Sequence, residues 1–204
     1  MDERSILFAE LLCARAFHFF SDAMFEINTG ISFLSSSKLE TQMRSIEFLS
    51  LKVQDAINKL KFLKHAYESV HAGYETDSEH ADFLIKNFLH GTDITFNIKF
   101  SERSLNLKLA KLVYNLVIIM SEFILYSGGI KVDVGKQIVI TGMFTECKKD
   151  IDLNILTGLN GPEEINANNI QCVYTKAIAH SLNYYATLHR MHNQISIALT
   201  HVET

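Results

Sequence analysis

The feature that most constrains the fold is a pair of long apolar heptad seams at the start of the chain. In the first seam, apolar residues recur at alternating steps of four and three, at Cys13, Phe17, Phe20, Met24, Ile27, Ile31 and Leu34. That period is typical of an α-helix with one apolar stripe. A second seam runs from Ile46 to Tyr74, after the short SSSKLE loop. We therefore predict two long helices that pack antiparallel because their connection is short.

Each of these helices carries more apolar surface than one neighbour can cover. Three aromatic residues lie outside the first seam, namely Phe19, Phe25 and Phe33. A row of small residues, Ala16, Ala23 and Gly30, offers a place where another backbone could approach closely. These observations predict that two copies of the chain form a dimeric four-helix bundle.

The pattern changes at residue 75. The segment after Thr76 and Asp77 predicts a helix with one of these two residues as N-cap, Glu79 in the first turn and Gly91 as the C-terminal stop. The segment 93–100 alternates apolar and polar residues, as a half-buried strand does.

Further elements follow in the second half of the chain. We predict a long buried helix from residue 104 that ends before Gly128, a strand hairpin turning at Gly135, a short helix near residues 152–159, a loop with the only proline, Pro162, a helix over 168–185, and two strands around His192. The predicted fold class is therefore α+β, with a helical hairpin over 1–74 and a sheet with helices on one face over 75–204.

Composition narrows the classes of function. The chain is 48% hydrophobic and 21% charged, with a formal net charge of -4, which is typical of a globular protein. Because the charges are interspersed, no basic stripe indicates nucleic acid and no polybasic segment indicates a membrane surface. Apolar runs are broken by charges before they reach the length of a spanning helix. The three cysteines are far apart and the first residues are acidic, so we expect reduced thiols and a cytoplasmic protein.

The stretch CARAFHFFSD places His18 beside the first seam rather than in it, so the imidazole can reach solvent. Arg15 lies three residues earlier and Asp22 four later, on the same helix face. This trio suits a phosphoryl-accepting imidazole, because an arginine can steady phosphate oxygens and a carboxylate can orient the ring. Spacing alone favours the simpler interpretation, a surface histidine in a helix ion pair. The remaining histidines predict no metal site.

The chain resembles the ChpT-type histidine phosphotransferases of bacterial phosphorelays over nearly its whole length. The resemblance rests on four segments: LLCARAFHFFSDAMFEINTGISFL, LKFLKHAYESVHAG, KLVYNLVIIMSEFILYSGGIKV and ILTGLNGP. It implies a dimerising helical hairpin followed by a degenerate histidine-kinase-type (Bergerat) ATPase-like α/β sandwich. It also implies that His18 is the phosphorylated residue and that Arg15 is the family's basic residue one turn before it.

Two positions depart from the family pattern. Phe19 stands where an acidic residue follows the family's histidine, and Ala23 stands where the family has a proline. An ATP-dependent kinase would depend more on that acid, since it acts there as a base on the imidazole. Our hypothesis is that Asp22 partly replaces it.

The resemblance also indicates which cofactors to expect. In the kinase fold the long helix carries an N-L-x-x-N pattern whose second Asn helps to hold Mg²⁺, and Ile119 occupies that place here. The Asp-x-Gly-x-Gly box and the glycine-rich lid of that fold are missing from the sequence as well. We therefore predict that the chain binds no ATP and has no cofactor of its own, and that Mg²⁺ comes with a partner's receiver domain.

The function implied is phosphoryl transfer between receiver-domain aspartates through a phosphohistidine. The implied partners are a second copy of the chain, a receiver of a hybrid histidine kinase acting in the cell cycle, and response regulators. Phe19 and Phe25 are candidates for the receiver contact, and the dimer core is an equally good location for them. Two alternatives stay open at this point: a catalytically silent dimeric adaptor that only binds receivers, and an unrelated helical scaffold in which His18 is incidental.

Overall fold

The computed structural model describes residues 3–36, 38–69, 73–158 and 164–202. It begins with the two predicted helices, α1 (Glu3–Leu34) and α2 (Leu39–Tyr67). They are antiparallel, because Glu26 pairs with Lys52 and Gly30 lies against Leu49. Within the second seam, Val70 lies outside the described residues, as does Pro162 further along the chain.

The rest of the chain forms an α/β region. Its elements are β1 (Glu75–Asp77), α3 (Ser78–Leu89), β2 (Asp93–Phe100), β3 (Ser104–Asn106), α4 (Leu107–Phe123), β4 (Ile124–Val134), β5 (Gln137–Cys147), α5 (Asn154–Thr157), α6 (Ile170–Ser181), β6 (Tyr184–Met191) and β7 (Gln194–His201). The main sheet has the order β2-β4-β5-β7-β6, in which only β2 and β4 are parallel. Strands β1 and β3 form a separate antiparallel pair. The predicted α+β fold class, two helices followed by a sheet covered by helices, is confirmed.

Several predicted element ends are confirmed at the residue level. Asp77 caps α3, because its side chain accepts a hydrogen bond from the backbone N–H of Glu79. Gly91, just after α3, has a φ of +77°, a conformation that glycine adopts at little cost. The strand hairpin turns at Gly135 as predicted. Local sequence signals were therefore sufficient at these three boundaries.

Three predicted helix ends were wrong. Helix α2 ends at Tyr67 rather than at Tyr74, and Gly73 has a φ of +90°. Helix α4 begins at Leu107 rather than at residue 104, which belongs to β3, and it stops at Phe123 because Ile124 already pairs with Cys147 in the sheet. Helix α6 ends at Ser181, shortly before Asn183 turns the chain with a φ of +56° into β6. In the latter two cases sheet pairing overrides local helical preference.

One hydrophobic core runs through the α/β region and into the end of α2. Helix α4 lies at its centre, with eleven of its 17 residues buried. Phe62, Leu63 and Ala66 of α2 belong to the same buried cluster. The Phe62 ring stacks on Phe88 at 4.1 Å between centroids and meets Tyr114 edge-on at 5.3 Å. The helical hairpin is therefore anchored in the core through the last turns of α2.

The small-residue row of α1 lies partly against α2 of the same chain. A Cβ atom added at Gly30 would lie 2.7 Å from Leu49 Cδ2, so the close approach at this end of the row is intramolecular. Ala23 instead lines an open apolar groove with Val53 and Ala56. The approach of a second chain to this row stays a prediction.

Candidate functional site

His18 lies on the open side of α1. Its side chain is 78% exposed, and its Nδ1 is 3.0 Å from Oδ2 of Asp22 one turn later. Because the helix has 3.6 residues per turn, the i, i+4 spacing alone brings the two groups together. The carboxylate accepts the hydrogen bond when Nδ1 carries the proton, and that tautomer leaves a lone pair on Nε2. The arrangement can thus present a nucleophilic nitrogen to a partner in solution.

Arg15 does not turn toward His18. Its guanidinium donates to the carboxylate of Glu122, at the end of α4, and only 14% of its side chain is exposed. The contact joins residues 107 positions apart. A role for Arg15 on phosphate oxygens stays a prediction, while its observed contact is an ion pair that ties α1 to the α/β region.

Glu122 is partly buried at this contact, with 25% of its side chain exposed. Burial raises the pKa of its carboxyl above the ordinary value, whereas the nearby cations Arg15 and Lys148 oppose that rise. The desolvation of the carboxylate therefore outweighs the attraction of its neighbours. Sequence reasoning missed Glu122, although it is the sole acid in the apolar helix α4, and a lone acid in such a helix indicates a paired charge.

A chain of buried hydrogen bonds continues inward from this ion pair. Tyr67 Oη donates to Gln171 Oε1 at 2.7 Å, and Gln171 Nε2 donates to Asn115 Oδ1 at 2.7 Å. Asn115 Nδ2 in turn donates to the carbonyl of Ala66 at 2.9 Å. Burial, opposed by Arg15, raises the pKa of Tyr67 to about 12, so its hydroxyl keeps its proton. These contacts join α2, α4 and α6 behind the His18 helix.

Asn115 stands at the first Asn of the kinase fold's N-L-x-x-N pattern. Its side-chain amide forms hydrogen bonds within the fold, to Ala66 and Gln171. The second position, Ile119, is 1% exposed and lies in the hydrophobic core. The position at which the kinase fold places a magnesium ligand therefore holds an apolar side chain. Within the described ranges, no three His, Cys, Asp or Glu side chains lie together as a metal site would require.

Phe19 and Phe25 have different environments. Phe19 is partly buried against the core, with the Arg15 guanidinium 5.9 Å from its ring centre. Phe25 is 72% exposed. Phe19 is therefore only partly exposed and lines both the groove beside His18 and the apolar groove between α1 and α2, whereas Phe25 is accessible. The receiver contact stays a prediction for both residues.

His18 and Asp22 line one wall of a groove between α1 and the α/β region, which we call the His18 groove. Its polar and charged lining residues are Arg15, His18, Asp22, Glu122, Lys148, Asp150 and Asn168. Sequence reasoning did not single out Lys148, Asp150 or Asn168, because exposed polar residues of a loop carry no pattern. The groove exists only because α4 and the segment after β5 approach α1.

In the described part of the chain, no helix is long and apolar enough to cross a membrane. This agrees with the interrupted apolar runs of the sequence.

Comparison with known proteins gives a family match over much of the α/β region. Residues 78–193 match the family described as the histidine phosphotransferase C-terminal domain. No curated protein matches the chain significantly in sequence.

Among solved structures, one described as a bacterial phosphotransferase superposes with a TM-score of 0.81 at 19% identity, over 98% of this chain and 97% of its own. This similarity shows a shared fold that includes the helical hairpin. The Acinetobacter baumannii histidine kinase AdeS gives a TM-score of 0.42 at 9% identity, covering 91% of this chain and 96% of its own. A blue-light activated histidine kinase of Erythrobacter litoralis gives 0.46 at 11% identity, over 88% and 94%.

Proposed function

Because the chain belongs to the histidine phosphotransferase family, matched over residues 78–193, we propose that it carries a phosphoryl group between receiver-domain aspartates as a phosphohistidine at His18. The single observation that carries this proposal is the exposed imidazole of His18, held through Nδ1 by Asp22 at 3.0 Å. A nucleophile that must meet a second protein has to be accessible, and its reacting nitrogen has to be the one left free.

The transfer step follows from the tautomer in which Nδ1 of His18 carries the proton and Nε2 has a lone pair. The lone pair of Nε2 attacks phosphorus of the receiver's aspartyl phosphate in line, an N–P bond forms, and the P–O bond to the aspartate breaks as the carboxylate leaves. The imidazole becomes cationic, with its proton still on Nδ1, and the Asp22 carboxylate stabilises that charge. Discharge to a second receiver runs through the same bonds in reverse.

The chain itself needs to supply little charge stabilisation in this reaction. A receiver's acidic pocket brings Mg²⁺, so the phosphotransferase mainly positions a nucleophile and presents a docking surface. We propose that no ATP takes part, in keeping with the apolar Ile119 at the position of the kinase fold's magnesium ligand. Isothermal titration with Mg-ATP tests this point, and micromolar affinity would contradict it.

The proposed partners are a receiver domain of a hybrid histidine kinase as donor and response regulators as acceptors. Phe25, close to His18 along α1 and 72% exposed, supports a protein contact on this helix. We further propose a division of labour in which the helical hairpin, residues 1–74, carries dimerisation and transfer, and the α/β region, residues 75–204, supports it.

We propose that the protein acts as a homodimer. Four apolar residues, Phe20 and Met24 of α1 and Ile57 and Leu60 of α2, are exposed in the single chain and line one apolar groove. A second hairpin would cover this groove and complete a four-helix bundle. Sedimentation velocity should find a dimer in the wild-type protein and a monomer in Phe20→Glu. Met191→Glu, which adds the same charge at an exposed apolar residue of β6, should stay dimeric.

Phosphorylation of the protein by a radiolabelled phospho-receiver tests the central proposal. We expect acid-labile, base-stable label on the wild-type chain and none on His18→Ala. Label that persists in His18→Ala would reject His18 as the acceptor. Receiver binding with no label on the wild type would instead support the silent adaptor, in which the phenylalanine at position 19 ends the chemistry.

A further inference from the structure

The His18 groove contains two cationic side chains, Arg15 and Lys148. Of these two, only Arg15 forms an ion pair in the described part of the chain. Arg15 is engaged by Glu122 and largely buried, so its guanidinium is committed within the fold. Lys148 lies at the opposite wall of the groove and is exposed. Among the described residues, no carboxylate forms an ion pair with its ammonium group.

The backbone at Lys148 is held firmly even though its side chain is exposed. Its N–H donates to the carbonyl of Phe123 at 2.8 Å, and the preceding residue, Cys147, pairs with Ile124. The pairing of β4 with β5 is interrupted by a bulge between Leu125 and Gly128, and resumes beyond it toward Lys148. Lys148 directly follows the last residue of β5, and the backbone hydrogen bond to Phe123 places it beside Glu122 and in the groove.

We propose that the ammonium group of Lys148, rather than the guanidinium of Arg15, binds the phosphoryl oxygens at His18. The inference rests on the proposed function, since it requires a phosphoryl group on the imidazole. Lys148 would form charge-assisted hydrogen bonds to the oxygens while Asp22 holds the other side of the ring. Arg15 is then a positioning residue, which keeps α1 close enough to the α/β region for both sides to act.

The pairing of charges supports the assignment. Without a phosphoryl group, the groove holds the two cations Arg15 and Lys148 and the imidazole of His18 beside three carboxylates, those of Asp22, Glu122 and Asp150. Two of the carboxylates have partners, since Glu122 contacts Arg15 and Asp22 contacts His18. A phosphoryl group on Nε2 adds negative charge at an open groove, and the ammonium group of Lys148 is the cation that can turn toward it without breaking an ion pair.

The test uses phosphoramidate, a small phosphoryl donor that needs no receiver. The lone pair of His18 Nε2 forms the new N–P bond while the donor's own P–N bond breaks and ammonia leaves. Phosphohistidine formation is followed by ³¹P NMR on the full chain. Because a hydrogen bond to a charged group near solvent is worth about one factor of ten, we expect Lys148→Ala to lower kcat/KM for phosphoramidate roughly tenfold.

Matched variants separate this role from a general charge effect. Lys149→Ala removes the neighbouring exposed lysine, which does not line the groove, and should leave the rate unchanged. Lys148→Arg should retain most of the activity, because it keeps the charge. The free energy of unfolding should be the same in all three variants, which a merely structural role of Lys148 would not predict.

Each outcome decides the inference. Equal rates for Lys148→Ala and Lys149→Ala would overturn it while leaving the proposed function intact. A wild-type protein that phosphoramidate does not label on His18 would overturn it as well. The proposed function is decided separately by the phospho-receiver experiment, in which the wild type and His18→Ala are compared without any change at Lys148.

Discussion

Helices α1 and α4 illustrate two ways in which one chain uses apolar sequence. Of the 32 residues of α1, the structure buries only Gly30, whereas α4 buries eleven of 17. Both are rich in apolar residues, but α4 is covered by the sheet, α2, α3 and α6, while α1 is covered mainly by α2. The buried helix therefore stabilises the fold, and the open helix carries the candidate chemistry and leaves apolar surface for a partner.

The difference also explains where the candidate site lies. His18 is exposed because α1 is only half covered, and its groove exists because Arg15, Glu122 and Phe19 hold one face of α1 on the α/β region. The candidate site is thus built on the less buried helix and fixed from behind by the more buried one.

The largest expected effect comes from replacing one isoleucine by alanine in each of the two helices and comparing the losses of stability. Ile118→Ala in α4, where the side chain is 0% exposed, should lower the free energy of unfolding by about 3 kcal/mol because it leaves a cavity. Ile31→Ala in α1, 51% exposed, should cost less than about 1 kcal/mol in the single chain. Urea unfolding at a protein concentration where sedimentation finds only single chains measures both, and equal losses would contradict the contrast.

The next effect concerns the ion pair that joins the two helices. Arg15→Met should cost about 2 kcal/mol at neutral pH, since it leaves the Glu122 carboxylate without its main cation. Adding Glu122→Gln should recover most of that loss, because no charge is then left unpaired. If the loss of unfolding free energy in the double variant equals the sum of the losses in Arg15→Met and Glu122→Gln, the two residues do not act as a pair.

A smaller effect is expected at the exposed site itself. Asp22→Asn removes the carboxylate that stabilises the cationic ring of His18, so phosphotransfer from a phospho-receiver should slow roughly tenfold. Because both side chains are exposed, the free energy of unfolding should hardly change. Unchanged transfer rates would remove Asp22 from the mechanism.

The smallest effect is a dependence of stability on pH that arises from Glu122. Burial raises the pKa of this carboxyl in the folded state, so the folded protein binds the proton more tightly than the unfolded chain does. The contribution to stability is fully present below the unfolded pKa and is lost as the pH rises through the folded pKa. Glu122→Gln should lack this decline, and Arg15→Met should show it more steeply. If the free energy of unfolding of the wild type instead rises relative to that of Glu122→Gln as the pH increases, the expected sign of the pH dependence is wrong.

Local patterns were sufficient for much of the fold. The seams predicted α1 and most of α2, alternation predicted β2, and Asp77 predicted the start of α3, because each of these signals depends on residues only a few positions apart. The same holds for the contact between His18 and Asp22, which the pitch of one helix determines. The end of α4 was mispredicted because pairing with β5, far away in the sequence, decides where β4 begins.

The sequence by itself determined the elements, the exposed position of His18 and its pairing with Asp22. Only the tertiary structure decided that Arg15 turns to Glu122, that Phe19 packs inward, and that Lys148 faces the groove. The physical reason is the range of the interactions. Backbone geometry fixes neighbours within one turn or one strand, whereas the partner of a charged or apolar side chain on a helix face depends on which distant element packs against that face.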